Sequence, residues 1–363
     1  MKKLVCCVTN DLTTDQRMAR ICGSLAAEGW QVTLVGRKLA SSRPLDVTNY
    51  QQYRLNVFFT KGKLFYFEYN IRLLIFLLFR KTSAIVAIDL DTIVPCYYAS
   101  KWKKVPRVYD AHELFTEMKE LIRRPSVQKI WLEIERKYVP KYKSGYTVSS
   151  SIVEEFRRRY GVQYELIRNL PVKSNLNQDH QKREKFLLYQ GAVNEGRGFE
   201  WLIPAMQKVN APLHIYGDGN FLLQCKELIL KYGVPDKVTL MGTVNPAELR
   251  KISEKAYAGI NLIERQGLNQ IYSLANKFFD YIHAGIPQLT MDFPEYRSIN
   301  EKYHIAVLIP DLDIEIIASA LNNLLLNEVL YTDLSNNCIR AADDLNWKQE
   351  EQKLLEFYHK ILD

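Results

Sequence analysis

Short, uninterrupted apolar runs alternate with helix-length segments along the whole chain, and this alternation constrains the fold more than any other feature. In the first half the expected strands are Leu4–Val8, Val32–Val35, Leu55–Phe59, Ile85–Ile88, Arg107–Tyr109, Tyr146–Val148 and Glu165–Ile167. The helix-length segments between them are Gln16–Glu28, Phe65–Phe79, Thr92–Lys103, Gln128–Tyr138 and Ser150–Tyr160. In the second half Phe186–Tyr189, Leu213–Ile215, Val238–Leu240, Gly259–Leu262, Gln288–Thr290 and Ala306–Leu308 take the strand role. Continuous rather than alternating apolar runs imply strands covered on both faces, hence parallel sheets with crossover helices in an α/β fold. A length of 363 residues suits two such domains better than one. The polar stretch from Asn169 to Lys185 has no apolar period and reads as their linker. Two Rossmann-like domains joined there would face each other across a cleft at the carboxyl ends of their strands, where α/β folds bind ligands.

Charge is unevenly placed. Residues 1–170 hold 29 Lys and Arg against 16 Asp and Glu, and residues 171–363 hold 20 against 25. The net +8 therefore belongs to the first half. No helix-turn-helix, zinc finger or Arg-rich tail accompanies it, so nucleic acid is not an expected partner. The six cysteines form no CxxC and sit mostly in apolar runs, the pattern of reduced, buried thiols. No export signal follows Met1, and Leu64–Phe79 is interrupted by Glu68 and Arg72. Its uncharged run Leu73–Phe79 is far short of the ~20 residues that span a bilayer. These features suggest a cytoplasmic protein. Lys61, Lys63, Arg72, Arg80 and Lys81 around Phe65–Phe79 add the expectation that the basic half docks on the inner, anionic face of a membrane.

Five polar clusters follow expected strands. In Thr9–Arg17, Asp15 and Arg17 precede or open a helix, where they could meet a sugar or an anion, or simply cap it. Tyr109–Phe115 carries Asp110, His112 and Glu113; a histidine there could bond a sugar hydroxyl or act as acid or base, or serve only in capping. Asp89-Leu90-Asp91 has the form of a metal-binding pair, but helix capping is the favoured reading and no metal site is expected. Gly191–Gly198 and Gly217-Asp218-Gly219 each follow a strand, and their glycines would let backbone amides approach a phosphate that Arg197 could pair.

The segment Leu262–Leu289 is the most specific. Asn276 and Lys277 open a helix, an arrangement suited to pyrophosphate, and Asp280 lies about one turn on, where it could accept ribose hydroxyls. An ordinary surface Lys–Asp pair would look the same.

The chain resembles the GT-B glycosyltransferases of the family 4 type over nearly its full length. The resemblance rests on Asp15–Arg37, YDAHELF at Tyr109–Phe115, Gly191–Ala205, HIYGDG at His214–Gly219, VTLMGTV at Val238–Val244 and NKFFDYIHAGIP at Asn276–Pro287. It implies two Rossmann-like domains: residues 1–170 plus 348–363, which hold the acceptor, and residues 171–347, which hold a nucleotide-sugar donor. The final helix would cross back onto the first domain.

By resemblance, Arg197 matches the basic residue that contacts the donor pyrophosphate and Asp280 the second acid of an E-x7-E motif. Gly217 and Gly219 match the glycines beside the nucleotide. Gly191, Asp218, Val244, Ser273 and Asn276 fall on the same donor side, and Asp15, Arg17, Asp110 and Glu113 on the acceptor side. Two positions depart from the pattern: Ala192 stands where an arginine is usual, with Lys277 available to supply the charge, and Tyr272 stands at the first acid of E-x7-E, with Glu264 eight residues upstream.

The expectation is a hexosyl-type transferase in polysaccharide or glycoconjugate synthesis. It would be retaining and metal-independent, without a tightly bound cofactor, using a nucleoside-diphosphate sugar and a saccharide or lipid-linked acceptor. His112, Lys277 and Arg197 would carry the catalysis. A silent sugar-nucleotide-binding partner and a nucleotide-sugar epimerase stay open as alternatives.

Overall fold

The computed structural model of the protein describes residues 1–173 and 183–362. Residues 174–182 of the expected linker lie outside the described residues. The chain divides into two compact units, Met1–Asn169 with Gly267–Asn269 and Glu350–Asp363, and Leu170–Gln266 with Gln270–Gln349.

The first unit is built on a parallel sheet of β1 (Lys3–Cys7), β2 (Gln31–Arg37), β3 (Gln51–Leu55), β4 (Ala84–Ile88), β5 (Arg107–Ala111), β6 (Ser144–Thr147) and β7 (Glu165–Leu166). Their order is β3-β2-β1-β4-β5-β6-β7. The central strand β4, AIVAI, is buried at every position, as a strand covered on both faces must be. Leu4 of β1 pairs with Val32 on one side and Ala84 on the other. The chain order therefore reverses between β1 and β4, which makes their carboxyl ends the switch point of this sheet.

Its helices are α1 (Gln16–Ala27), α2 (Gly62–Phe79), α3 (Ile93–Lys103), α4 (Lys119–Ile122), α5 (Pro125–Tyr138) and α6 (Ser150–Tyr160). The Asp15 carboxylate caps α1 by accepting from the Met18 amide at 3.0 Å. Ser149 caps α6, and Gly161 at φ 66° ends it. On α2, Phe65, Tyr69, Leu73 and Leu77 recur every four residues and form the buried face. The opposite stripe of Leu64, Phe67, Ile71, Ile75 and Phe79 is exposed.

The strand expected at Leu55–Phe59 lies instead at Gln51–Leu55, paired with β2 from Thr33↔Gln51 to Arg37↔Leu55. As an edge strand it needs no apolar run, and its QQYRL sequence is half exposed. The Phe58 and Phe59 amides donate to the Glu68 carboxylate of α2, at 2.9 Å in each case. Those two phenylalanines advertised a strand that the local hydrogen bonding excludes.

The second sheet contains β8 (Leu187–Gln190), β9 (Leu213–Tyr216), β10 (Val238–Gly242), β11 (Ala258–Asn261), β12 (Gln288–Met291) and β13 (Ala306–Ile309). All are parallel, in the order β10-β9-β8-β11-β12-β13, with the switch point between β8 and β11. The elements between and after them are α7 (Phe199–Ala205), α8 (Leu222–Lys231), α9 (Pro246–Lys255), α10 (Leu268–Ile271), α11 (Asn276–His283), α12 (Pro294–Tyr303), α13 (Ile314–Leu326), α14 (Glu328–Asp344) and α15 (Trp347–Leu362). Leu187, Phe199, Leu213, Ile260, Phe278 and Leu289 centre the core of this unit. In the first unit Phe357 and Tyr358 of α15 pack edge-on against Tyr146, with ring centroids 5.2 and 6.2 Å away. Each half is thus a Rossmann-like α/β layer structure on a parallel sheet.

Candidate functional site

In the second unit the switch point gathers most of the expected donor residues. The loop after β8 begins at Gly191, whose amide donates to the Tyr216 carbonyl at 3.0 Å, and the Val193 amide donates to Asp218 at 3.0 Å. The two strand-end loops thus lie backbone on backbone. A Cβ on Gly217 would stand 1.8 Å from the Gly191 oxygen, and one on Gly219 would stand 2.3 Å from the Val193 oxygen. Both positions require glycine because another loop occupies the space. Asp218 is exposed, and its side chain accepts from the Gly219 amide at 2.7 Å.

Lys277, in the first turn of α11, extends over the Tyr189 ring with Nζ 3.5 Å from its centroid, a close cation–π contact. An ideal Cβ on Gly191 would lie 3.7 Å from the same Nζ. Burial pushes the Lys277 ammonium well below its ordinary pKa; the charge of Arg197 pushes the same way, and Asp280 opposes both. No side chain caps the start of α11. Asp280 accepts from the Gln190 side-chain amide at 2.9 Å, and the Gln190 oxygen accepts from Ser253 at 2.8 Å. This Ser253–Gln190–Asp280 chain fixes the carboxylate beside β8.

Glu264 is buried, and its amide donates to the Gly196 carbonyl at 3.0 Å, which sets it beside the Gly196-Arg197 turn. Tyr272 is half-buried, Ser273 donates to the Gln270 carbonyl at 2.8 Å, and Asn276 is exposed. Val244 packs with the cluster around Tyr216 and Tyr281. Gln190, Ser253 and Tyr189 carried no signal in the sequence, since each looks like an ordinary strand or helix residue.

In the first unit the carboxyl ends of β1, β4 and β5 hold Thr9, Asp89, Asp91 and His112. The Asp91 carboxylate accepts from the Thr9 hydroxyl at 2.5 Å, and Asp89 accepts from the His112 amide at 3.0 Å. The helix-capping reading of Asp89-Leu90-Asp91 is therefore corrected, because neither carboxylate caps a helix and both join loops across strand ends. Among the described residues no group of three or more His, Cys, Asp or Glu is placed to hold a metal ion.

Burial, reinforced by Glu113, Asp91 and Asp110, raises the Asp89 carboxyl well above the usual range. Burial brings Asp91 up to about 6. The His112 imidazole is pushed down to about 3 by burial and by the Arg17 charge, so it is neutral at neutral pH. Asp89 also sits at φ 56° and ψ 172°, a positive-φ extended conformation that residues with a side chain rarely adopt.

A cavity of about 1180 Å³ opens onto this cluster, and His112, Glu113, Asp89 and Asp91 all line it. The other acceptor-side candidates are committed elsewhere. Arg17 and Asp110 form a buried ion pair at 2.7 Å that ties α1 to β5, and Asp15 caps α1. Strand-end packing leaves neither Arg17 nor Asp110 more than 4% exposed.

The likenesses to known proteins agree with this layout. Residues 16–171 match the family described as glycosyltransferase family 4, and residues 173–344 match glycosyl transferases group 1. An uncharacterized glycosyltransferase of Methanocaldococcus jannaschii is 36% identical over 80 residues, which is 21% of this chain and 20% of that protein. The chain thus spans about a fifth of the length of that curated relative. Sucrose-phosphate synthase from Thermosynechococcus elongatus superposes with a TM-score of 0.79 at 17% identity, covering 99% of each chain. Anabaena HepE, in complex with UDP and glucose, superposes with a TM-score of 0.76 at 11% identity, covering 99% of this chain and 100% of that one. At such identities these structures speak for the fold alone. Two adjoining family matches that together run from residue 16 to residue 344, on two Rossmann-like sheets, place the chain among the GT-B glycosyltransferases of the family 4 type.

Proposed function

We propose that this glycosyltransferase moves a hexosyl group from a nucleoside-diphosphate sugar to a saccharide or lipid-linked acceptor, with retention and without a metal ion. One observation carries the reading. Arg197 and Lys277 lie in each other's field at the switch point of the second sheet, and neither forms an ion pair among the described residues. Two like charges held together in a partly desolvated site oppose each other, Asp280 offsets this only in part, and a further anion would relieve it. A diphosphate supplies that anion, and as the bond from the sugar's anomeric carbon to the diphosphate breaks, both cations stabilise the developing charge.

Asp280, fixed by Gln190, is the group for ribose hydroxyls, and Glu264 beside Gly196 stands in for the acid that Tyr272 replaces. HepE was solved with UDP-glucose, which makes a uridine nucleotide the first donor to try. His112 positions a sugar hydroxyl. With a pKa of about 3 the imidazole holds too little proton affinity to deprotonate an alcohol near neutrality, so its part is to orient the hydroxyl. The basic rim of α2 supports a second element of the reading, docking on an anionic membrane surface. Arg72 is already paired with Glu68 at 2.8 Å, so Lys61, Lys63 and Lys81 are the exposed cations left beside the apolar stripe.

Calorimetric titration with UDP-glucose and other nucleotide sugars, followed by analysis of the product anomer, tests the proposal. Binding followed by an α-linked product from an α-linked donor supports it. Failure to bind any nucleoside-diphosphate sugar overturns it. Binding with no transfer to any acceptor selects the silent partner, the reading that Tyr272 at the acid position favours.

A further inference from the structure

We infer that the cavity of the first unit holds the hydrocarbon chain of an amphipathic acceptor, whose hydroxylated head group rests on the Asp89, Asp91 and His112 cluster. The inference rests on the acceptor-side reading of that cluster given above. The cavity's volume of about 1180 Å³ lies at or above the upper end of the range usual for small-ligand sites. Its polar lining comes largely from the ends of β1, β4 and β5, whereas its walls are large apolar side chains from α2, α3 and α5.

Several of these walls are left in solvent. Phe67 is 68% exposed, Ile71 43% and Ile130 61%. Apolar surface gathered around an open cavity marks a binding site more often than a packing accident. Behind it Trp131 meets Tyr66 and Phe115 edge-on, at 5.1 and 4.9 Å, so the inner wall is aromatic and preformed.

The head-group end has the opposite chemistry. Carboxyls and a neutral imidazole exchange hydrogen bonds with sugar or polyol hydroxyls, and a linear chain fits an apolar trough better than a second sugar would. Lys63 and Arg124 also line the cavity and are exposed, so an anionic phosphate between chain and head group would be neutralised there. The occupant is therefore a hydroxylated head group on a single chain, with a phosphate linker accommodated.

The test is calorimetric titration of the full-length protein with hexyl, octyl and decyl β-glucosides below their micelle concentrations, with glucose as the chainless control. Affinity should rise about fourfold per methylene, the conversion of ~0.8 kcal/mol for each CH2 buried. Leu74 and Ile130 both line the cavity, and Leu74→Asp and Ile130→Asp should each flatten this dependence while UDP-glucose affinity stays unchanged. Ile130 is largely exposed, so its variant stays informative if Leu74→Asp fails to fold. Affinity independent of chain length, or a slope that survives both substitutions, overturns the inference. UDP-glucose titration of the same samples separates the two failures: normal donor binding with a flat series removes only the chain site, and absent donor binding with a steep series removes only the donor reading.

Discussion

Lys277 offers the sharpest test, because its charge is costly in the free protein and would be needed in the proposed donor complex. Burial and Arg197 hold its pKa well below the ordinary lysine value. A nucleoside-diphosphate sugar brings two negative charges to the same place and restores that value. Binding should therefore take up protons, approaching one per site at a pH between the free and bound values. A nucleotide sugar is the better titrant because its diphosphate lacks the monoester ionisation near pH 6. Titrations in two buffers of different ionisation enthalpy give the uptake directly.

Lys277→Met should abolish that uptake and weaken binding by about 12- to 160-fold, the equivalent of ~1.5–3 kcal/mol for a charged hydrogen bond. The unliganded protein should move the other way. A depressed lysine pKa means that the unfolded chain binds more protons, so the destabilisation is greatest at lower pH and disappears as pH rises through about 10.4. Lys277→Met should accordingly raise the melting temperature of the unliganded protein at pH 7–9. Equal proton uptake in wild type and variant, or a variant that loses stability without ligand while binding donor normally, would refute the placement of the diphosphate against Lys277.

Gly217→Ala combines φ 149° with a backbone oxygen 1.8 Å from the new Cβ, so overpacking should cost at least about 1–3 kcal/mol in urea unfolding. Asp110→Ala leaves Arg17 charged and buried and should cost about 3–5 kcal/mol, whereas Arg17→Met with Asp110→Leu should recover most of the loss. Transfer should persist in excess EDTA; strict dependence on a divalent cation would return Asp89 and Asp91 to a metal role. The protein should co-sediment with phosphatidylglycerol vesicles at low salt and release at 1 M salt, where screening shortens the field to ~3 Å, and Lys61, Lys63 and Lys81 should each contribute about 1 kcal/mol.

Most of the layer structure was legible because central parallel strands leave a plain mark. AIVAI at β4 can be little else, and Asp15 and Ser149 announce the helices they cap. Edge strands leave none: QQYRL has no apolar run, and the apolar signal lies on the neighbouring phenylalanines instead. At the site, residue type pointed to Arg197, Lys277 and Asp280, but the groups that hold them were invisible. Gln190 reads as the last residue of a strand, and nothing local reveals that Ser253, 63 positions on, bonds it. The same limit explains Asp110. A carboxylate at a strand end suggests a ligand until the fold brings Arg17, 93 residues away, against it.

The two switch points carry opposite chemistry on the same topology. At β8 and β11 two cations lack ion pairs among the described residues, which suits phosphate. At the ends of β4 and β5 the groups that line the cavity are carboxyls and an uncharged imidazole, which suit hydroxyls. The positive excess of the first half therefore does not report on its strand-end cluster, which is acidic apart from the buried Arg17. Part of the excess lies on the outside, at Lys61 and Lys81 beside α2 and at Lys101 and Lys104 at the end of α3. Net charge alone would point to the other unit from the one proposed here for the anionic donor. Resolved residue by residue, the charge divides into the cation pair proposed for the donor in the acidic half and an outer basic surface on the half proposed for the acceptor. Substituting Lys61 and Lys81 should then change vesicle binding without altering donor affinity, and Arg197→Ala should do the reverse.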